Sequence, residues 1–335
     1  DVVLAALLPA VLYYIALFTQ VDLEAGRYKM APLPRDMLPK MRKVLGRGLV
    51  FIIPIFLLIW TLMVERWQPG KSAMTAAIAT LIIGTLHPYT RPKWSRLVKE
   101  LIETGRIILD LTVITSMAGI IIGLLQLSGL AFNISLLLTE AADGSLVILL
   151  FLTAVVCIVL GMGMPSAVIY IVLSVIAAPA LIEAGVGKMS AHMFLFYFGM
   201  LSMITPPVCL ATIAAASVAG TNFWQTGWAG VRLGFVAYIV PFLFVFYPEL
   251  VFEGSAGAII AVMVKSTVGV IILCYCVAGF LYDRLGWPER GVLGVCGLAV
   301  LAAPYDTAVG LAIIAAFLVV TGVLFVRGRA RRVAN

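Results

Sequence analysis

Gly161-Met-Gly-Met-Pro165 interrupts residues 145–182, an otherwise apolar stretch that contains no Lys, Arg, Asp or Glu. Glycine adopts backbone conformations closed to other residues, and proline ends or kinks a helix. The motif therefore divides the stretch into two halves, each shorter than the roughly 20 apolar residues that a membrane crossing requires. We predict a re-entrant hairpin over 145–182, in which two short helices meet at a tip.

A second interruption lies further along the chain. Residues 191–218 form another apolar stretch, and Thr205-Pro-Pro207 lies in its middle. Each proline removes a backbone donor, and the residue before a proline is pushed out of the α-helical region. The pattern predicts a broken helix over 191–218, opened at the two prolines.

The composition places both interruptions inside a membrane. Of the 335 residues, 63% are hydrophobic and 12% are charged, whereas soluble domains carry about 25% charged residues. Because lipid cannot satisfy free backbone N–H and C=O groups, long apolar segments must be helical. The expected fold class is an all-α polytopic membrane protein.

Positive charge is gathered into short loops between the apolar runs. Residues 21–47 contain seven Lys and Arg, residues 91–106 contain five, and the last residues of the chain add Arg327, Arg329, Arg331 and Arg332. Loops rich in Lys and Arg remain in the cytoplasm. We expect a multi-pass protein of a bacterial inner membrane with these loops and the C-terminus cytoplasmic. The net charge of +7 is not concentrated on one face or helix, so we expect no nucleic-acid partner.

The two interruptions are also the best candidate for a binding site. Unwound backbone at membrane depth is tolerated where it is buried in protein or lines a cavity. Opened helices offer carbonyls to a cation, and half-helix N-termini offer N–H groups to an anion. Hydroxyl oxygens are neutral ligands suited to a monovalent cation, so Ser166, Ser202 and Thr205 are the Na⁺ candidates. The complete set of candidate ion and substrate residues is Gly161, Met162, Gly163, Met164, Pro165, Ser166, Ser202, Thr205, Pro206, Pro207 and Val208.

Alternatives remain open from the residues alone. The prolines could only kink packed helices, and the small residues could only permit close helix contact. A membrane-embedded enzyme and a passive channel are the alternative functions. The sequence has no GxSxG or HExxH motif, and its five cysteines show no CxxC spacing, so we expect neither an enzyme nor a cofactor.

A weak internal sequence similarity indicates an inverted repeat. Pro9 and Pro241 lie in similar aromatic, apolar segments. If the basic loops are cytoplasmic, these two segments cross the membrane in opposite directions. Transporters often contain such repeats. The second copy has both interrupted segments before its proline, whereas the first has almost nothing before Pro9. We therefore expect the first repeat to be incomplete, with its hairpin and broken helix preceding residue 1.

These patterns divide the chain as follows. The predicted parts are the last helix of the first repeat (1–21), a cytoplasmic basic linker (22–47), scaffold helices with an interfacial arm helix (48–106), the second repeat (107–252) and a C-terminal transmembrane extension (253–335).

The motifs resemble one transporter family. Gly-Met-Gly-Met-Pro-Ser from residue 161, Phe-Gly-Met-Leu-Ser-Met-Ile-Thr-Pro-Pro-Val from residue 198 and Gly-Trp-Ala-Gly-Val-Arg-Leu-Gly-Phe from residue 227 are similar to the large membrane subunit of the tripartite ATP-independent periplasmic (TRAP) transporters. The segment Leu8-Pro-Ala-Val-Leu-Tyr-Tyr-Ile-Ala-Leu-Phe18 resembles the fused permeases that work with a TAXI-type binding protein. The resemblance implies an elevator-type secondary transporter that is driven by Na⁺.

The same resemblance implies the partners. A periplasmic solute-binding protein of TAXI type would deliver an organic anion, such as a carboxylate, and a small membrane subunit or its fused equivalent would complete the permease. By the match, residues 161–166 would form the second hairpin tip, and residues 202–208 the opened helix beside it. The resemblance also implies a first hairpin with its partner helix, which we expect to precede residue 1.

Overall fold

The computed structural model describes residues 2–31, 34, 37–38, 40–86, 93–164, 166–281 and 283–334. These residues are mostly helical. In chain order the α-helices are α1 (Val2–Ala5), α2 (Leu7–Arg27), α3 (Met41–Gly48), α4 (Ile52–Met63), α5 (Pro69–Leu86), α6 (Trp94–Leu127), α7 (Leu130–Ala141), α8 (Leu146–Gly161), α9 (Ser166–Ile176), α10 (Ala178–Glu183), α11 (Lys188–Leu201), α12 (Leu210–Ala219), α13 (Phe223–Leu233), α14 (Phe235–Phe246), α15 (Ala256–Ala278), α16 (Trp287–Ala302) and α17 (Ala308–Ala334). Short 3₁₀ helices occupy Leu49–Phe51 and Pro248–Val251.

Several helices are suited to a lipid environment. Three helical segments are long and apolar enough to cross a membrane, namely Val2–Arg27, Phe223–Phe246 and Ala256–Ala278, and a fourth crossing results if the bent pair of α6 and α7 is counted as one span. The described residues contain no β-strand, only an isolated bridge between Phe280 and Arg284. The expected all-α polytopic membrane fold is confirmed.

The chain divides into two compact units, one formed by residues 31–113 and the other by residues 1–30 together with 114–335. In the first unit, α4 and α5 pack against each other. Small polar residues lie in that contact, since Thr61 and Ser72 are buried. The Thr61 hydroxyl donates to the Leu57 carbonyl at 2.9 Å, which satisfies it inside an apolar helix.

The second unit contains both interrupted segments, and in each of them non-helical residues separate two helices. The hairpin consists of α8 and α9, with α10 continuing its second arm, and the broken helix consists of α11 and α12. At about 1.5 Å per residue, the 16 residues of α8 and the 11 residues of α9 are each shorter than the roughly 30 Å of a bilayer core. Ser145 caps the start of α8 by accepting from the Ile148 N–H.

The helices that carry Pro9 and Pro241 pack against each other and run in opposite directions. The end of α2 lies beside the start of the Phe223–Phe246 segment, because Arg232 is 2.7 Å from Glu24. The start of α2 contacts the 3₁₀ helix at Pro248–Val251, which follows the end of that segment. The two segments are therefore antiparallel, whereas the loop orientation stays a prediction.

A third long helix, α15, lies along α2 in the same direction. The Gln20 amide donates to the Cys274 carbonyl at 3.2 Å, and Arg27 donates to the Ala278 carbonyl at 3.0 Å. Arg290 binds the neighbouring Cys276 carbonyl at 2.9 Å. Two arginines thus satisfy carbonyls at the end of α15, where a helix otherwise leaves acceptors without partners.

Some helix bounds differ from the predicted divisions of the chain. The first helix continues past residue 21 to Arg27, because Glu24 and Arg27 find polar partners inside the protein. The predicted interfacial arm and the span after residue 106 belong to one continuous helix, Trp94–Leu127. A sequence pattern that changes from amphipathic to apolar need not interrupt the backbone.

Candidate functional site

The hairpin tip is a short turn between two helix ends. Helix α8 ends at Gly161 and α9 begins at Ser166. Gly163 has φ = +81°, a conformation that side chains other than glycine rarely adopt. The third predicted breaker, Pro165, lies outside the described residues. The turn brings the C-terminal end of one half-helix close to the N-terminal end of the next.

Gly161 forms the closest approach between this tip and the broken helix. A Cβ atom placed on Gly161 would lie 2.7 Å from the Ser202 Oγ and 3.1 Å from the Gly199 carbonyl oxygen. The first distance is shorter than real Cβ contacts, so any side chain at Gly161 would force Ser202 or the tip to shift. The two interruptions, more than thirty residues apart in the sequence, therefore meet in the folded chain.

A second contact extends this approach along the break. A Cβ atom on Gly163 would lie 4.0 Å from the Val208 Cγ1. Met164 packs against the hydrophobic core that α11 and α14 share, whereas Met162 is half-buried and Pro207 is exposed. The tip therefore lies beside the opened backbone at two levels, near Ser202 and near Val208.

The hydroxyl groups of the break bind the end of α11. Ser202 Oγ donates to the Gly199 carbonyl at 2.6 Å, and Thr205 Oγ1 donates to the Leu201 carbonyl at 2.6 Å. A hydroxyl that donates its proton retains oxygen lone pairs for other partners. Both side chains therefore combine a structural bond with remaining acceptor capacity.

Ser166 is placed differently from the other two Na⁺ candidates. It is the first residue of α9 and is half-buried. Among the described residues, no hydrogen bond joins Ser166 to Ser202 or Thr205. The structure thus pairs Gly161 with Ser202 directly and leaves Ser166 at the start of the second arm.

Four helix ends converge on this region. Helices α8 and α11 end at Gly161 and Leu201, whereas α9 and α12 begin at Ser166 and Leu210. The C-terminal end of a helix carries partial negative charge and the N-terminal end partial positive charge. One region of the molecule therefore offers both kinds of electrostatic environment without a formal charge.

The break lies beside a segment that is long and apolar enough to cross a membrane. Near the start of α11, Ser190 donates to the Phe244 carbonyl at 3.1 Å, and after the end of α11 the hydroxyl groups of Thr205 and Tyr238 are 2.7 Å apart. Helix α11 therefore runs antiparallel to α14. Since Tyr238 lies in the second half of Phe223–Phe246, the candidate site lies beside that half of the segment.

Sequence reasoning missed the residues that surround the break. Gly227, Gly230 and Gly234 are spaced to share one helical face, and that face lies against the break and α12. Cβ atoms at these positions would lie 3.2 Å from the Pro206 Cγ, 3.0 Å from the Thr212 Cγ2 and 3.2 Å from the Ile204 Cδ1. The spacing of the three glycines is the sequence signal that could have revealed this contact. Tyr238 gives no comparable signal, because it lies alone in an apolar run.

The two ends of the second unit differ in their charged residues. Arg27, Arg232 and Arg290 gather where α2 and α15 end. At the opposite end, Tyr305 donates to Glu249 at 2.7 Å, and Glu253 lies 3.6 Å from where a Cβ atom on Gly187 would be. The bond to the Glu249 carboxylate raises the pKa of Tyr305 to about 12.

Lys265 lies near the acidic end and away from the break. Its side chain is buried, donates to the carbonyls of Leu301 and Ala303 at 3.1 and 2.8 Å, and lies over the Tyr247 ring at 3.6 Å from the centroid. These contacts satisfy carbonyls at the end of α16, which is a structural role. Of the five cysteines, all free, four are buried, and no His, Cys, Asp or Glu cluster suited to a metal ion is found in the described ranges.

One comparison with known proteins bears on this geometry. A family model described as "Tripartite ATP-independent periplasmic transporter, DctM component" matches residues 1–259. The matched range includes the hairpin, the broken helix and the Phe223–Phe246 segment, and it ends just after α15 begins. No curated protein and no solved structure matches the chain.

Proposed function

Because the chain belongs to the DctM component family of the tripartite ATP-independent periplasmic transporters, we propose that it couples the import of an organic anion to a Na⁺ gradient. The family is that of the membrane permease component, and its transporters work with a periplasmic solute-binding protein. The further elements proposed here are the coupling ion, the carboxylate class of the solute and the residues that bind them.

The contact between Gly161 and Ser202 carries the proposal. It brings together the C-terminal ends of α8 and α11 near Tyr238, in a segment that is long and apolar enough to cross a membrane. Carbonyl and hydroxyl oxygens at such ends are neutral ligands, and Na⁺ needs little more charge compensation than helix dipoles supply. We assign Ser166, Ser202 and Thr205 as the candidate Na⁺ ligands.

The N-terminal ends of α9 and α12 are the proposed binding groups for the organic anion. Their free N–H groups and positive dipole ends suit a carboxylate. In this scheme Na⁺ binds first and adds positive charge to the region, which favours binding of the organic anion. Na⁺ and the organic anion therefore move together. We further propose an elevator-type mechanism in which the hairpin and the broken helix carry the bound solute.

The charge distribution supports one orientation. The arginine-rich end of the second unit would face the cytoplasm of a bacterial cell, and the end with Glu249 and Glu253 would face the periplasm. A TAXI-type solute-binding protein would then deliver its solute to the acidic end. A small membrane subunit, separate or fused, would complete the permease.

Transport in proteoliposomes tests the proposal. The chain, as part of its full permease, is reconstituted with its solute-binding protein, which is loaded in turn with radiolabelled carboxylates. Uptake should require an inward Na⁺ gradient and the loaded binding protein. Vesicles with equal Na⁺ on both sides are the control for the gradient.

Two results would contradict the proposal, and each would exclude a different part of it. Uptake of the same rate in choline chloride would exclude Na⁺ coupling while leaving transport intact. Uptake of free solute at the same rate without the binding protein would exclude the tripartite mechanism.

A further inference from the structure

We propose that Tyr238 is a positioning residue of the ion site, which orients the Thr205 hydroxyl toward a bound Na⁺. The proposal deepens the function proposed above and rests on it. Its basis is the contact between Thr205 Oγ1 and Tyr238 Oη at 2.7 Å, which links the opened backbone of the broken helix to the neighbouring span.

The available protons determine which hydroxyl donates in the hydrogen bond between Thr205 and Tyr238. Thr205 Oγ1 lies 2.6 Å from the Leu201 carbonyl oxygen, and a carbonyl oxygen can only accept. The single hydroxyl proton of Thr205 must therefore point at Leu201. A contact of 2.7 Å between Thr205 and Tyr238 then requires the phenol to donate.

As a result, Thr205 Oγ1 has one lone pair left for a further partner. Three of the four tetrahedral positions around Thr205 Oγ1 are occupied, by its own Cβ, by the proton shared with Leu201 and by the proton from Tyr238. One lone pair remains, and its direction is set by two hydrogen bonds rather than one. An oxygen oriented before the ion arrives loses less freedom when it binds.

The environment of Tyr238 suits this role. Its ring lies at an apolar cavity of about 600 Å³ lined also by Ile239, Phe242, Leu298 and Leu301. In the described part of the chain, Thr205 is the hydrogen-bond partner of its hydroxyl. A phenol in such surroundings keeps its bond to Thr205, because breaking it would leave a polar donor without a partner in an apolar environment.

Na⁺ binding to the purified protein tests the proposal without knowledge of the solute. Thermal unfolding is followed while NaCl replaces choline chloride at constant total salt, and the Na⁺ concentration that gives half of the stabilisation measures the site. Tyr238→Phe should raise that concentration about three- to tenfold, the range expected for one hydrogen bond. Tyr197→Phe is the matched control, since Tyr197 lies on α11 with its ring against Phe244.

A double variant separates positioning from a general loss of stability. Thr205→Val should also weaken Na⁺ binding, and adding Tyr238→Phe to it should cause no further change in the Na⁺ dependence, because the two act through one oxygen. The midpoint in choline chloride reports the fold alone. Equal, independent effects of the two substitutions on Na⁺ binding would overturn the proposal.

The other outcomes are equally distinct. If the wild-type protein shows no stabilisation by Na⁺, the Na⁺ coupling proposed above fails, and the role of Tyr238 fails with it. If Na⁺ stabilises the wild type and Tyr238→Phe equally, only the positioning role is overturned. Tighter Na⁺ binding by Tyr238→Phe would mean that the phenol competes with the ion, which also overturns it.

A second measurement applies if Tyr238→Phe does not fold. With 3-fluorotyrosine incorporated in place of Tyr238, the size and the hydroxyl group are retained. The fluorine resonance should shift on replacement of choline by Na⁺, and the Thr205→Val substitution should abolish the shift. A resonance that does not respond to Na⁺ would overturn the proposal.

Discussion

The Arg232 guanidinium lies 2.7 Å from the Glu24 carboxylate and joins α13 to α2. Glu24 is buried, and Arg27, which lies one helical turn after Glu24 on the same helix, is 3.9 Å from the same carboxylate. The bond lies at the arginine-rich end, where the two antiparallel segments that carry Pro9 and Pro241 meet. It fixes the register of those segments at one end of the second unit.

Removing one partner of this pair should destabilise the fold. Arg232→Gln and Glu24→Gln are each expected to cost about 1–3 kcal/mol, because a mostly buried charge loses its partner. The double variant should cost less than the sum of the two, which thermal or denaturant unfolding in detergent would show. Asp22→Asn, an exposed carboxylate on the same helix, should change little. Additive costs would mean that the pair contributes no coupling.

A methyl group at Gly161 should separate the hairpin tip from the break. Gly161→Ala would place Cβ 2.7 Å from the Ser202 Oγ, and overpacking of this kind costs about 1–3 kcal/mol. Gly257→Ala is the control, because nothing lies within 4 Å of a Cβ atom there. Combining Gly161→Ala with Ser202→Ala should recover part of the lost stability. Full stability of Gly161→Ala alone would show that the tip can move away from the break.

The hydroxyl of Ser166 should matter for the ion and little for the fold. Ser166→Ala is expected to raise the Na⁺ concentration for half-maximal stabilisation about tenfold, the equivalent of roughly 1.4 kcal/mol. Ser174→Ala on the same helix is the control, since that hydroxyl donates to its own helix at the Ile171 carbonyl. Identical Na⁺ titrations of the two variants would remove Ser166 from the ligand set.

Lys265 should prove structural. Lys265→Met deprives the carbonyls of Leu301 and Ala303 of a donor, so a loss of about 1–3 kcal/mol is expected. The Na⁺ dependence should stay at its wild-type value. Lys188→Met, which removes an exposed lysine, should leave both quantities unchanged. A changed Na⁺ dependence with normal stability would instead give Lys265 a role in transport.

The two charged ends should lie on opposite sides of the membrane. A membrane-impermeant maleimide should label Glu253→Cys in spheroplasts and should label Arg284→Cys only after the membrane is opened, since both side chains are exposed. The wild type gives the background, which should be low because four of its five thiols are buried. The reverse pattern of labelling would invert the proposed orientation.

Much of the candidate site could be predicted from local chemistry. Gly163 and the two prolines at 206 and 207 constrain the backbone wherever they occur, so the breaks that they cause appear in the structure within a few residues of their predicted places. The positions of α8, α9, α11 and α12 follow from the same residues. The assignment of ion and substrate residues stays a prediction.

The partners of the broken helix were not predictable in this way. Tyr238 looks like any tyrosine in an apolar helix until folding brings it to Thr205, 33 residues away. Glu24 lay in a segment interpreted as a linker, because its partner Arg232 is distant in the sequence. The pattern of a single sequence indicates the environment along one helix. It does not show which residues of two different helices lie side by side.

The sequence by itself determined that Gly161-Met-Gly-Met-Pro165 and Thr205-Pro-Pro207 interrupt helices within a membrane protein, because glycine and proline act on their own backbone and lipid admits few alternatives to a helix. Only the tertiary structure decided that Gly161 lies against Ser202, that α11 runs antiparallel to α14, and that Tyr238 donates to Thr205. Those relationships depend on how side chains fit across helices, where the space left by one missing methyl group determines which backbone can approach.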